Sequence, residues 1–167
     1  DNKTTKVKVD YKIIDENKVD SLIKKLKVQK EICFDTETSS LDIQSAKLAG
    51  IAFSCEEGKA YYVPTLSNTE EILKKLSPLF SDSNILLIGH NLKYDIQILS
   101  KYGILFHENV FDTMLAHYVI SPEGTQKLDA LSENYLNHKC IPIEDIIGKK
   151  GVNQKSMIEI PVENVYE

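Results

Sequence analysis

Residues 34–42 read FDTETSSLD, the place where an apolar strand, EICFDTE over residues 31–37, runs into a polar turn and carries Asp35 and Glu37 near its end. Side chains alternate along a strand, so the two carboxylates share one face with Cα atoms roughly 6.5 to 7 Å apart, close enough to reach one cation. Like charges at a sheet surface repel and resist loss of water, so such a pair needs solvent, basic partners or a bound metal. Hard oxygen donors favour Mg²⁺ or Mn²⁺ over zinc. Taken alone, the nonapeptide is explained at least as well by a solvated strand end capping the TSS turn, so the surrounding sequence has to decide.

Outward from this stretch, KVKVDYKII (6–14) alternates as a strand, and ENKVDSLIKKLKVQ (16–29) has helical spacing with Val19, Leu22, Ile23 and Leu26 on one side. KLAGIAFS (47–54) and KAYYVP (59–64), joined by the turn CEEG, predict an antiparallel meander with the acidic strand. SNTEEILKKL (67–76) predicts a helix with a capping box of Ser67 and Glu70, limited at its far end by Pro78. NILLIG (84–89) is short enough for a buried strand, and NLKYDIQILSKYG (91–103) follows as a helix closed by Gly103. FDTMLAHYVI (111–120) and KLDALSENYL (127–136) predict two further helices, GKKGVNQKS (148–156) a loop, and IPVENVYE (160–167) the start of another helix. Strands and helices in this order predict a single α/β domain, a mixed sheet flanked by helices.

The 167 residues suffice for one core without staples. Hydrophobic residues at 42% and charged residues at 27% exclude a disordered chain. Absence of any apolar run approaching ~20 residues, and of a signal-peptide core in the first ten, points to a soluble protein with no membrane association. Cys33, Cys55 and Cys140 are odd in number and lack C-x-x-C spacing, which predicts buried or free thiols in a reducing compartment. Every basic residue other than His is Lys, so the forked bidentate grip of Arg on phosphate is missing. The net charge of −5 argues against a dedicated nucleic-acid coat, and leaves room for an enzyme that binds a few nucleotides through metal ions.

A second constellation is GHNLKYD (89–95). Leu92, Ile96 and Leu99 form the expected buried stripe, with Asn91 and Asp95 four apart on a neighbouring edge. An Asp in the first turns also suits the helix dipole, so alone it proves nothing. Both acidic groups, however, follow apolar strands, where α/β sheets commonly place ligands. Asp35, Glu37 and Asp95 gathered at that edge make a plausible two-metal site.

FDTETSSLD, GHNLKYDIQIL and FDTMLAHY together resemble the proofreading 3'-5' exonuclease domain of bacterial-type DNA polymerase I, over nearly the whole chain. The resemblance implies a ribonuclease-H-like fold and hydrolysis of 3'-terminal phosphodiesters of DNA, releasing nucleoside 5'-monophosphates. It assigns Asp35, Glu37 and Asp95 as catalytic ligands of two divalent metal ions, Mg²⁺ or Mn²⁺. Leu41 would wedge against the terminal base, Asn91 would bind near the terminal nucleotide, and Tyr94 would pack near the strand's path. His90 stands where the best-known members have Gln beside the Asn; it too can donate a hydrogen bond to substrate, and its charge adds pH dependence. Asp112 also matches and is read as structural, at a strand-to-helix junction. The implied partners are a single-stranded or frayed 3' end of DNA and a polymerase domain in the same, monomeric, full-length chain.

Departures accompany the likeness. The family's substrate-contacting Arg has no counterpart in SPEGTQK (121–127), where Lys127 replaces only its charge. The third motif, Tyr-x-x-x-Asp, is expected immediately after Glu167, with Tyr166 as a second register, so residues 1–167 are expected to be an exonuclease domain cut before its last helix, with impaired activity as a fragment. An inactive exonuclease-like module supporting a polymerase, and an RNA-trimming exonuclease of the same fold, stay open as alternatives.

Overall fold

The computed structural model describes residues 9–149, 151 and 154–164. Six strands form one mixed sheet in the order β1-β4-β3-β2-β5-β6. They are β1 (Asp10–Ile13), β2 (Glu31–Thr38), β3 (Leu48–Glu56), β4 (Lys59–Pro64), β5 (Leu86–Gly89) and β6 (Val110–Asp112). The β2-β3-β4 meander is antiparallel as its short connections predict, while β1 joins β4, and β5 and β6 extend β2, in parallel. The helices are α1 (Val19–Leu26), α2 (Thr69–Phe80), α3 (Leu92–Ser100), α4 (Thr113–Ile120), α5 (Leu128–Leu136) and α6 (Ile143–Ile147). This is the α/β architecture expected.

Alternation along β2 divides the molecule. Ile32, Phe34 and Thr36 are buried, while Glu31, Cys33 and Asp35 are exposed. Phe34 lies edge-on to Phe80 of α2 at 5.3 Å and stacks near Phe106 at 6.2 Å. Val19, Leu22, Ile23 and Leu26 of α1, and Ile72, Leu73, Leu76, Leu79 and Phe80 of α2, complete this core. The acidic side chains of β2 are thereby left on the opposite face.

Several local expectations need correction. Pro78 does not end α2, which continues to Phe80. Leu79 and Phe80 are almost fully buried, and their burial outweighs the hydrogen bond a proline cannot donate. The Ser67–Glu70 capping box is not formed: Asn68 is the N-cap and makes no side-chain cap bond, its amide being drawn to Glu16 Oε1 at 2.8 Å. On α3, Ile98 rather than Ile96 joins Leu92 and Leu99 in the fully buried stripe. Gly103, at φ +80°, closes the turn after α3 in a left-handed conformation that glycine adopts without strain. Near the C-terminus, Val162–Asn164 form one 3-10 turn; the expected continuation through Tyr166 and Glu167 lies outside the described residues. Also outside them is the part of the first strand expected over residues 6–8.

Candidate active site

Asp35 and Glu37 project from β2 onto a floor of small residues, because their partners across the ladder are Ala52 and Gly50. The Tyr62 ring crosses Gly50 so closely that a Cβ there would lie 2.3 Å from the phenolic oxygen, so only glycine admits the ring in this position. Burial, then the nearby Glu37 charge, pushes the Tyr62 hydroxyl above its usual range. A register shift between Glu37 and Thr38 marks the end of regular pairing, and such bulges turn side chains at the rims of sheets.

The third acid arrives from α3. β5 pairs with β2 only over Glu31–Cys33, so among the described residues the outer half of β2 has no strand on that side. Asp95 occupies the vacancy: its Oδ1 accepts from the Thr36 backbone N–H at 3.0 Å and from the Thr36 hydroxyl at 2.6 Å. Asp95 is buried there, with only 3% of the residue accessible. The sequence reading missed Thr36, although strand alternation inside FDTE places it on the core side where α3 can reach it.

All three carboxyls are held above the ordinary carboxylate range. Loss of water, then the charges of Asp95 and Glu37, push Asp35 up to about 7, although its side chain still opens to solvent. Glu37 rises through burial and the Asp95 charge, and Asp95 rises mainly through burial despite its bonds to Thr36. Among the described residues none of the three forms an ion pair with Lys. Neither do three or more His, Cys, Asp or Glu side chains there converge closely enough to enclose one metal ion. A shallow groove of about 570 Å³ at the far end of α3, lined by Glu70, Lys74, Pro78, Lys101 and Tyr102 among others, does not border the acids.

The remaining candidates divide between an open and an internal role. Leu41 is 89% exposed on the loop after β2. Asn91 is exposed at the N-cap of α3 in a left-handed conformation, φ 67°. Tyr94 is partly buried against the core, and its hydroxyl donates to the Ser40 carbonyl and approaches Thr38 Oγ1, both at 2.7 Å. His90 uses both ring nitrogens inside the protein, Nε2 on the Gln126 carbonyl at 2.8 Å and Nδ1 against Thr113 Oγ1 at 2.9 Å. It therefore presents no ring nitrogen to a substrate in this arrangement, and joins α3 to the 121–127 segment instead. Asp112 takes the structural place expected: its carboxylate accepts from Asn91 and Leu92 at the start of α3, and from Met114 and Leu115 at the start of α4.

Comparison with known proteins supplies the family. A family model described as 3'-5' exonuclease, of the DNA polymerase A type, matches residues 11–166. DNA polymerase I of Pseudomonas aeruginosa is 36% identical over 93% of this chain, and that of Borreliella burgdorferi 43% identical over 78%. The aligned regions are 18% and 15% of those proteins, so the chain spans less than a fifth of either. Among solved structures, the catalytic core of RRP6 from Trypanosoma brucei superposes with a TM-score of 0.72 at 19% identity, covering 95% of this chain and 42% of that one. Escherichia coli RNase D gives 0.69 at 16% identity, covering 82% and 36%. At such identities these two speak for the fold, ribonuclease-H-like, and the match over nearly the whole sequence speaks for the family: the chain belongs to the 3'-5' exonucleases of the DNA polymerase I type, hydrolases that act on phosphodiester bonds.

Proposed function

We propose that the chain is the editing domain of a DNA polymerase I, hydrolysing the terminal phosphodiester of a single-stranded or frayed 3' end of DNA. The reading is supported above all by the placement of three carboxylates along the outer half of β2, Asp35 and Glu37 on its open face and Asp95 on Thr36 between them, none paired with Lys among the described residues. Packing does not ask for such an arrangement, and it is relieved when a cation replaces the missing positive charge. The donors are all hard oxygens, which suits Mg²⁺ or Mn²⁺. Asp35 and Glu37 would hold the ion from the open face, and Asp95, locked by Thr36 through Oδ1, would complete the negative rim. Two divalent ions, when bound, supply a water of lowered pKa and neutralise the leaving 3' oxygen.

The protein's own part is placement. The floor of Gly50 and Ala52 leaves room above the acids, and the Tyr62 ring packs over Gly50, the ladder partner of Glu37. Leu41 would meet the terminal base and Asn91 the terminal nucleotide; apolar and backbone contacts read no base identity, so trimming is independent of sequence. Tyr94 acts by holding the loop that carries Leu41, and His90 by fixing the approach to α3. A Tyr-x-x-x-Asp motif following Glu167, and a polymerase domain in the same chain, belong to the same proposal.

Replacing Asp35 by Ala in the full-length protein lowers release of mononucleotides from single-stranded DNA by roughly a thousandfold with Mg²⁺ present. Undiminished release would remove the assignment. An RNA-trimming role is the second reading, favoured by the fold shared with RNase D; faster turnover of RNA than of a matched DNA oligonucleotide would select it.

A further inference from the structure

An exposed leucine on a loop is ordinary by itself. The 39–47 loop around Leu41 is unusual in how many side chains from other elements grip its backbone. Tyr94 holds the Ser40 carbonyl at 2.7 Å, and the Ser156 hydroxyl donates to the Ser39 carbonyl at 3.1 Å. The far limb is held by one side chain. The Lys101 ammonium donates to three carbonyls, those of Ile43 at 2.5 Å, Gln44 at 3.1 Å and Ala46 at 2.9 Å. All three donors of the ammonium are thus engaged by a single loop.

We infer that Lys101 is a positioning residue for substrate, fixing the 39–47 loop so that Leu41 already stands where the terminal base arrives. This rests on the reading of Leu41 given above. Lys101 is the C-cap of α3, and Tyr94 lies seven residues earlier on the same helix. Positions seven apart stack on one helix face, so Tyr94 and Lys101 clamp the two limbs of the loop from one rigid support. Asp95 stands on that same helix, so the acid rim and the wedge are held in register by one element. Asp42 within the loop also feels the Lys101 charge, after its stronger bond from Ser45. A loop ordered in advance costs less entropy when the strand binds, so the benefit falls on binding and not on the chemical step.

The test compares steady-state trimming of a single-stranded DNA oligonucleotide by the full-length protein and its variants. Lys101→Met raises KM roughly fivefold, the scale of one lost charge-assisted hydrogen bond at a partly exposed site, while kcat stays within about twofold. Lys101→Arg, which keeps N–H donors toward the carbonyls, recovers most of the loss. Leu41→Ala raises KM as well, and Lys101→Met adds nothing further in that background, because the loop then has no wedge to place. A raised KM in Leu41→Ala beside an unchanged KM in Lys101→Met, or effects of the two that multiply, would overturn the role of Lys101 and leave Leu41 standing. Unchanged KM in Leu41→Ala would remove the wedge and this inference together, while the Asp35 test above would still judge the exonuclease reading.

Discussion

At Asp35, folding and ionisation compete for one proton. The folded protein holds this carboxyl up to about 7 against an ordinary 3.8, so between those values the folded state keeps a proton that the unfolded chain has lost. The resulting stability is fully present below about 3.8 and is lost as the pH rises through about 7. Glu37 and Asp95 shift in the same direction. With chelator present, urea unfolding should therefore give a lower stability at pH 8 than at pH 5, and Asp35→Asn should flatten that difference. Adding Mg²⁺ at pH 8 should return stability to the wild type far more than to Asp35→Asn, since an ion that binds only the folded state stabilises it. Identical pH profiles for the two proteins would show that the acids do not share one field. At this scale the sequence disclosed that Asp35 and Glu37 share one face of β2, since strand alternation is a local rule. It did not disclose Thr36 as the partner of Asp95, since that bond depends on β5 stopping short of the outer half of β2.

Asp112 shows the same division among elements. One carboxylate accepts N–H groups from the starts of two helices, with Oδ2 taken by Leu92 at 2.9 Å and Oδ1 shared among Asn91, Met114 and Leu115. Unbonded N–H groups in the first turn are what a cap satisfies, and here two turns depend on one residue. Asp112→Ala should lower stability by about 2 kcal/mol, measured by denaturant, with Asp112→Asn keeping part of it. A loss no greater than that of an exposed Asp elsewhere would show that water replaces the cap at no cost. The sequence reading placed Asp112 at a strand-to-helix junction while taking all of 111–120 as helix; the junction falls where β6 ends at Asp112 and α4 begins at Thr113. The second helix that the cap serves begins about twenty residues earlier and could only be found in space. Ser67 and Pro78 show the converse, local signals overruled by what lies nearby: Glu16 beside Asn68, and the core waiting for Leu79 and Phe80.

Over the whole molecule, one aromatic group ties the helical layer to the sheet. Phe80 is fully buried, with Phe34, Phe53 and Phe106 at ring distances of 5.3, 6.2 and 5.1 Å. Phe80→Ala should cost roughly 3 to 5 kcal/mol, read from denaturant midpoints, because the cavity sits where α2 meets β2 and cannot collapse. A cost below 1 kcal/mol would mean that Phe106 refills the space. No described helix is long and apolar enough to cross a membrane. Periodicity over short windows missed α6 and took residues 111–112, the end of β6, into the helix that begins at Thr113. It was enough to specify β1 to β5, α1 to α3, α5 and the pair of acids on one sheet face, and the three motifs sufficed for the family. Those properties are encoded within a few residues of each other. Three others were settled only when the chain closed on itself: the lock of Thr36 on Asp95, the use of both His90 nitrogens by Thr113 and Gln126, and the reach of Lys101 to three loop carbonyls. Each joins groups more than twenty residues apart in the chain, and only the register of the sheet and the placement of α3 upon it bring their atoms within hydrogen-bonding distance.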